Sequence, residues 1–221
     1  MSTLTSAERV RAALPRLKVF PLPSAVLFPG VAMPLHIFEP RYRALVRDAL
    51  ASDGVFALAG LEPGWEGDYA GRPPLASVAC AGVITWHEKV EGGRYNLLLE
   101  GAARVHVLRE HPAGPPYREV EARAMEELQD AGAEEGPVRQ GLLELATQLP
   151  QEAAQVLVQE AARARGGALA DVVAAAVVAD VDRRRRLLEE PSAAARLRAV
   201  MDDLSDVLAR MRPARPRGPL N

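Results

Sequence analysis

The hydrophobic period of this chain changes once, and that change constrains its fold more than any other feature. Up to about residue 125, apolar residues alternate with others or form short runs broken by proline and glycine, the pattern of strands and turns. Beyond the acidic stretch EELQDAGAEEG at 126–136 they recur every three or four residues, the pattern of amphipathic helices. One kind of secondary structure cannot serve both periods. The expected class is therefore α+β, with a small barrel or sandwich carrying one short inserted helix, followed by a C-terminal helical bundle.

In the first half, residues 17–19 lead into FPLPSAVLFPG, after which Met33, Leu35 and Ile37 alternate as the buried face of a strand. Pro40 stands where a first helical residue tolerates proline, and Tyr42, Leu45, Val46, Ala49 and Leu50 follow at helical spacing until Asp53-Gly54. Residues 55–59 read as a strand, and 78–90 pair with 94–100 across the turn Glu91-Gly92-Gly93. Val105 with Val107, and Val120 with Ala122, continue the alternation. Later, Val138, Leu142, Leu145 and Leu149 form one helical stripe, and Leu169, Val172, Val173, Ala176 and Val177 a second. A third runs through Leu197, Val200, Met201, Leu204, Val207, Leu208 and Met211. Asp182 is placed to cap the helix carrying Leu187 and Leu188, and Ser192 to cap the last. The expected organisation is an N-terminal helical extension at 1–16, a β-rich subdomain at 17–125, a linker at 126–136, a helical subdomain at 137–212 and a disordered tail at 213–221.

Composition excludes several classes of function. The 221 residues are 48% hydrophobic with a formal net charge of -2, enough apolar content for a core and no field to gather nucleic acid or an anionic membrane surface. No apolar run approaches the roughly 20 residues of a membrane span, and charges at Glu8, Arg9, Arg11 and Arg16 leave no room for a signal-peptide core. Cys80 is the single cysteine, and no Cys/His cluster has metal-ligand spacing, so a reducing cytoplasm without metal or cofactor is expected. The run Arg183 to Arg186 reads as a solvated helix face balanced by Asp180, Asp182, Glu189 and Glu190.

Several motifs then coincide. Pro21-Leu22, Phe28-Pro29-Gly30 and Pro34-Leu35 are followed by a helix, and later come Gly82-Val83-Ile84 and the EG-x-x-R turn Glu100-Gly101-Ala102-Ala103-Arg104. This pattern resembles the N-terminal domain family of Lon proteases over about 17–211. The version His36-Ile37-Phe38-Glu39-Pro40-Arg41-Tyr42 is similar to free-standing and RING-associated members of the family. The resemblance implies a β-rich pseudo-barrel on a helical bundle, and a role in binding proteins rather than cutting them. The phosphate-gripping GxxxxGKS/T loop of an ATPase is absent, and no enzyme activity is expected.

The expected function is thus a non-enzymatic module for unfolded or extended protein segments, in quality control or as an adaptor, with a protease or chaperone as companion. The expected contacts are Phe28, Pro29, Met33, His36, Phe38, Glu39, Arg41 and Tyr42. Prolines in this stretch cannot all donate to a ladder, which places it at sheet edges or turns, where an extended peptide can join. The groove between the two halves is a further expected apolar site. Alternatives are an adaptor for one folded partner, and a small hydrolase pairing His36 with Glu39. Taken singly, His36 also fits a structural role, Glu39 a helix cap, and Phe38 and Tyr42 core packing.

Overall fold

The computed structural model describes residues 4–67, 71–130 and 132–211; the expected tail at 213–221 lies outside them. In order the elements are α1 (Ser6–Ala13), β1 (Leu17–Pro21), β2 (Ala32–Ile37), α2 (Pro40–Leu50), β3 (Val55–Leu61), β4 (Leu75–Val90), β5 (Arg94–Glu110) and β6 (Arg118–Ala124). Then follow α3 (Glu135–Ala146), α4 (Gln151–Arg163), α5 (Gly166–Val177), α6 (Val181–Glu189) and α7 (Ala193–Met211). The chain divides into two units. One takes the described residues to Leu128 together with Ala179–Pro191; the other takes Gln129–Val178 and the described residues from Ser192 onward.

In the first unit the strands lie in the order β2-β5-β4-β3-β1-β6, and β6 pairs again with β5. Strands β5, β4, β3, β1 and β6 thereby close on themselves. β6 occupies β5 from Val105 to Glu110, while β2 lies along Tyr95 to Glu100. Inside are Val19, Val55, Ala57, Ala59, Ala79, Ala81, Val105 and Val120. A barrel this small fills its interior with side chains, and alanine on its two central strands leaves room for Val10 and Ala13 of α1. The sequence treats 1–16 as an extension; in the structure its helix is part of this core. Thr5 starts α1 with a capping box, its hydroxyl accepting from the Glu8 amide while the Glu8 carboxylate accepts from the Thr5 amide.

Two motifs of the first half meet on β5. Gly30 donates to the Gly101 carbonyl at 2.8 Å, and Gly101 donates to the Val31 carbonyl at 2.9 Å. A Cβ on Gly101 would lie 2.1 Å from the Phe28 carbonyl oxygen, so only glycine lets the Phe-Pro-Gly turn dock there. The EG-x-x-R segment is consequently not a turn, as its sequence suggests, but the interior of β5. Its irregularity is a bulge: Ala81 pairs Ala103 and Gly82 pairs Gly101, leaving Ala102 as the extra residue. Arg104, only 1% exposed, donates to the Leu188 carbonyl at 2.9 Å and to Glu127 at 3.2 Å.

That arginine helps explain why α6 belongs with the strands, although its period assigns it to the helical part at 137–212. Leu187 and Leu188 are buried, and Arg185 donates to the Pro23 carbonyl at 2.8 Å. Arg185 is thus drawn out of the solvated basic run. The cap of α6 is Asp180, which accepts from the Arg183 amide at 2.7 Å, and not Asp182.

Near the other end of β5, Glu110 accepts from Arg118 at 2.8 and 2.6 Å and from Arg72. Burial pushes its carboxyl pKa up, but the hydrogen bonds from Arg118 and Arg72 outweigh burial and hold it below the usual value. A lowered folded-state pKa contributes stability above the ordinary carboxylate range and loses it as pH falls through the folded value. Glu110→Gln is expected to lose on the order of 1 kcal/mol at neutral pH, after solvent screening, and to flatten the fall in melting temperature below about pH 5. Parallel acid limbs for both proteins would show that this cluster contributes nothing.

The second unit is helical. Val138, Leu142 and Leu145 of α3 and Leu197, Val200, Leu204 and Leu208 of α7 are buried along their expected stripes. In α5 the buried side chains are Leu169, Ala170, Asp171, Val173 and Ala174, whereas Ala176 is exposed. Helix termini are closed by side chains: Glu135 accepts from the Gly166 amide at 2.6 Å, and Arg139 donates to the Ala161 and Ala164 carbonyls at 2.7 and 2.6 Å. Ser192 caps α7 by accepting from Ala195 at 3.0 Å, and Asp130 accepts from the Ala194 amide at 3.0 Å. Among the described residues no helix is long and apolar enough to cross a membrane.

Candidate functional site at the edge of the sheet

Strand β2 has a ladder partner on one side only. It pairs β5 from Ala32↔Glu100 to Ile37↔Tyr95, and among the described residues its other backbone edge meets no strand, leaving a row of donors and acceptors. Pro34 is tolerated there because an edge strand needs donors on one side alone. Residues paired across an antiparallel ladder share a face. Ile37, Tyr95, Leu97 and Leu99 carry the buried face, while Met33 and Leu35 on the same side are only half-buried.

The opposite face is where apolar side chains meet water. Pro34, Leu98 and Trp86 stand in one row across β2, β5 and β4, and His36, Asn96 and Glu88 form the next. Phe38 follows just past the strand, 61% exposed, and Trp86 is 53% exposed. The His36 and Phe38 rings stack with centroids 6.2 Å apart. His36 Nδ1 lies 2.7 Å from Asn96 Oδ1; an amide oxygen accepts, so Nδ1 donates and the ring is held in place across the strand pair.

The expected contact residues therefore separate. Pro34's neighbours His36 and Phe38 are exposed at the edge, and Pro29 lies half-buried in the turn that docks on Gly101. Phe28, at 0% exposure, and Tyr42, its ring tilted against that of Phe20 with centroids 4.2 Å apart, are core residues, and a partner on the surface meets neither. Glu39 precedes α2 but makes no side-chain cap; its carboxylate accepts from Arg41 Nε at 3.0 Å, and Arg41 also lies over the Tyr42 ring at 4.6 Å. No hydrogen bond or ion pair joins His36 to Glu39 among the described residues, so the arrangement needed for a base is not assembled. No cluster of metal-ligating side chains occurs among the described residues either.

Trp86 is the residue that sequence reasoning misses. Simple alternation puts it on the face of buried Ile84. The register shifts between Ile84↔Leu99 and Trp86↔Leu98, so Thr85 is an extra residue and Trp86 turns to the open face.

Comparison with known proteins agrees with this architecture. A family model for the ATP-dependent protease La (LON) substrate-binding domain matches residues 16–206. The Lon protease of Anaeromyxobacter dehalogenans and Lon protease 2 of Myxococcus xanthus are each 28% identical over 210 residues, which is 91% of this chain and 24% of each relative. The chain thus spans about a quarter of the length of these relatives. Among solved structures, the N-terminal domain of Mycobacterium avium complex Lon protease superposes with a TM-score of 0.68 at 20% identity, covering 86% of this chain and 98% of that one. A Lon N-terminal domain protein from Xanthomonas campestris gives 0.63 at 23% identity, covering 85% and 97%. The structural likeness establishes the fold, and the match over most of the sequence establishes the kinship: this chain belongs to the Lon substrate-binding domain family.

Proposed function

We propose that the domain binds extended, partly apolar segments of other proteins by adding them to the open edge of β2, without any catalytic step of its own. The observation that carries this reading is the coincidence of an open strand edge with an apolar row of exposed Pro34, half-buried Leu98 and exposed Trp86, ending at exposed Phe38. Backbone pairing supplies affinity that tolerates many sequences, and the apolar row favours segments that a folded protein would hide. The family's description as a substrate-binding domain supports the same reading. A role in protein quality control follows if the clients are many and unfolded.

The test is a double substitution, Phe38→Ala with Trp86→Ala, assayed by fluorescence anisotropy against a labelled, permanently unfolded polypeptide. Both side chains are largely in water, so circular dichroism should not change. Affinity is expected to fall about tenfold or more, as for two aromatic anchors at the centre of a contact. Unchanged affinity would remove this surface from the reading, and one tight stoichiometric partner in place of many clients would make it an adaptor.

A further inference from the structure

The row Ile37–Tyr95–Lys89 runs across β2, β5 and β4 on the face opposite the apolar row, and Tyr95 and Lys89 lead into a pocket of about 240 Å³. Its other walls are Pro40, Arg43, Ala44 and Arg47 of α2, spaced three and four apart so that they share one helix face, and Gly93 at the hairpin turn. Three of these residues are cationic and none is acidic.

The three cations differ in their commitments. Arg47 is paired with Asp48 at 2.9 Å, and Asp48 also accepts from the Tyr117 hydroxyl at 3.0 Å. Arg43 has no such neighbour: its Nε is buried without a hydrogen-bond partner, and no ion pair involves it among the described residues. Its guanidinium is pressed against the hairpin turn, since a Cβ on Gly93 would lie 2.5 Å from Nη2. Gly93 has φ +71°, a conformation in which a larger residue would be strained, so the turn leaves the arginine its place. Arg43 as a residue is half-buried and lines the pocket, so its guanidinium is within reach of an acceptor there, while its buried Nε is an unsatisfied donor, which is unfavourable. The fork of an arginine matches two oxygens of one planar anion.

We propose that this pocket is a carboxylate site, with Arg43 as the bidentate donor and Lys89 adding charge at the rim. The pocket begins where β2 ends, because Tyr95 is the partner of Ile37 and Pro40 follows three residues later. Resting on the reading of β2 as a docking edge, the site takes a carboxylate of the bound segment, either its chain terminus or an acidic side chain beyond the paired stretch. The domain would then select segments with an apolar stretch followed by an acidic group, not apolar segments in general.

The test uses the full chain and fluorescent apolar peptides in three versions: a free C-terminus, an amidated C-terminus, and an amidated terminus with an aspartate added. The free-acid or the aspartate peptide is expected to bind about tenfold tighter than the neutral one, and Arg43→Gln and Lys89→Gln are expected to reduce that advantage. Which of the two charged peptides gains tells the terminus from the side chain. Peptides that bind equally well with or without a carboxylate, unaffected by Arg43→Gln, overturn the site and leave the docking edge standing. If no peptide binds, titration with sodium acetate, observed at the arginine Nε–Hε NMR signals, decides: a shift of the Arg43 signal keeps the carboxylate site without the edge, and an unmoved signal overturns both.

Discussion

Asp171→Ala is expected to unfold the helical unit or bring it to the verge of unfolding, at a loss of about 3–5 kcal/mol. Asp171 on α5 and Arg196 on α7 are both 1% exposed, and Nε of the arginine stands 3.5 Å from the carboxylate. Neither charge reaches water, so removing the carboxylate takes a buried counter-charge from Arg196, and the penalty is the desolvation of a guanidinium rather than the value of one bond. The double change Asp171→Leu with Arg196→Met separates the two contributions. It removes both charges while keeping most of the volume, and it should be far less destabilising than Asp171→Ala alone. Urea denaturation followed by circular dichroism measures both. A single variant as stable as the original would show that the pair is solvated in solution.

Gly101→Ala is the second large effect, expected at about 3 kcal/mol or more, and it arises from crowding instead of charge. The added methyl would sit 2.1 Å from the Phe28 carbonyl oxygen and 3.1 Å from Cys80 Sγ. The oxygen belongs to backbone and cannot swing aside as a flexible side chain would. Relief requires the whole 28–31 turn to lift, breaking the Gly30 and Gly101 hydrogen bonds and uncovering Phe28. Gly30→Ala makes a useful contrast. Nothing lies within 4 Å of its would-be Cβ, so its cost comes only from φ +74° and should be smaller. Equal losses for the two variants would contradict the close approach.

These features also show what could be read in advance and what could not. The change of period placed strands before helices because alternation and helical stripes depend on local spacing alone, and the hairpin of β4 with β5 was visible in Glu91-Gly92-Gly93. Trp86 was hidden because one extra residue at Thr85 exchanges the faces of everything after it, and a bulge leaves no mark on composition. Phe28 looked like a surface anchor because prolines and glycine around it suggested an exposed turn; that the turn docks on Gly101 depends on a contact far away in sequence. Asp171 sits in an otherwise apolar stripe, VVAAAVV following it, and its partner Arg196 lies 25 residues on in another helix, a pairing that local spacing does not reveal. The edge position of β2 was legible from Pro34, whereas the pocket at its end needed the register of three strands.

The threading of α6 has a consequence for how the chain is made. Residues 179–191 return to the barrel unit only after 129–178 have been spent on the other, so neither unit is a continuous stretch. As synthesis proceeds from the N-terminus, the strands emerge first, but Arg104 has no Leu188 carbonyl to meet until the start of the helical unit has also left the ribosome. The barrel must therefore wait, its Val26 and Leu27 side incompletely covered, for a segment encoded beyond three helices of its neighbour. A nascent chain halted at residue 128 would hold an immature β unit, one that lacks the 179–191 segment completing it.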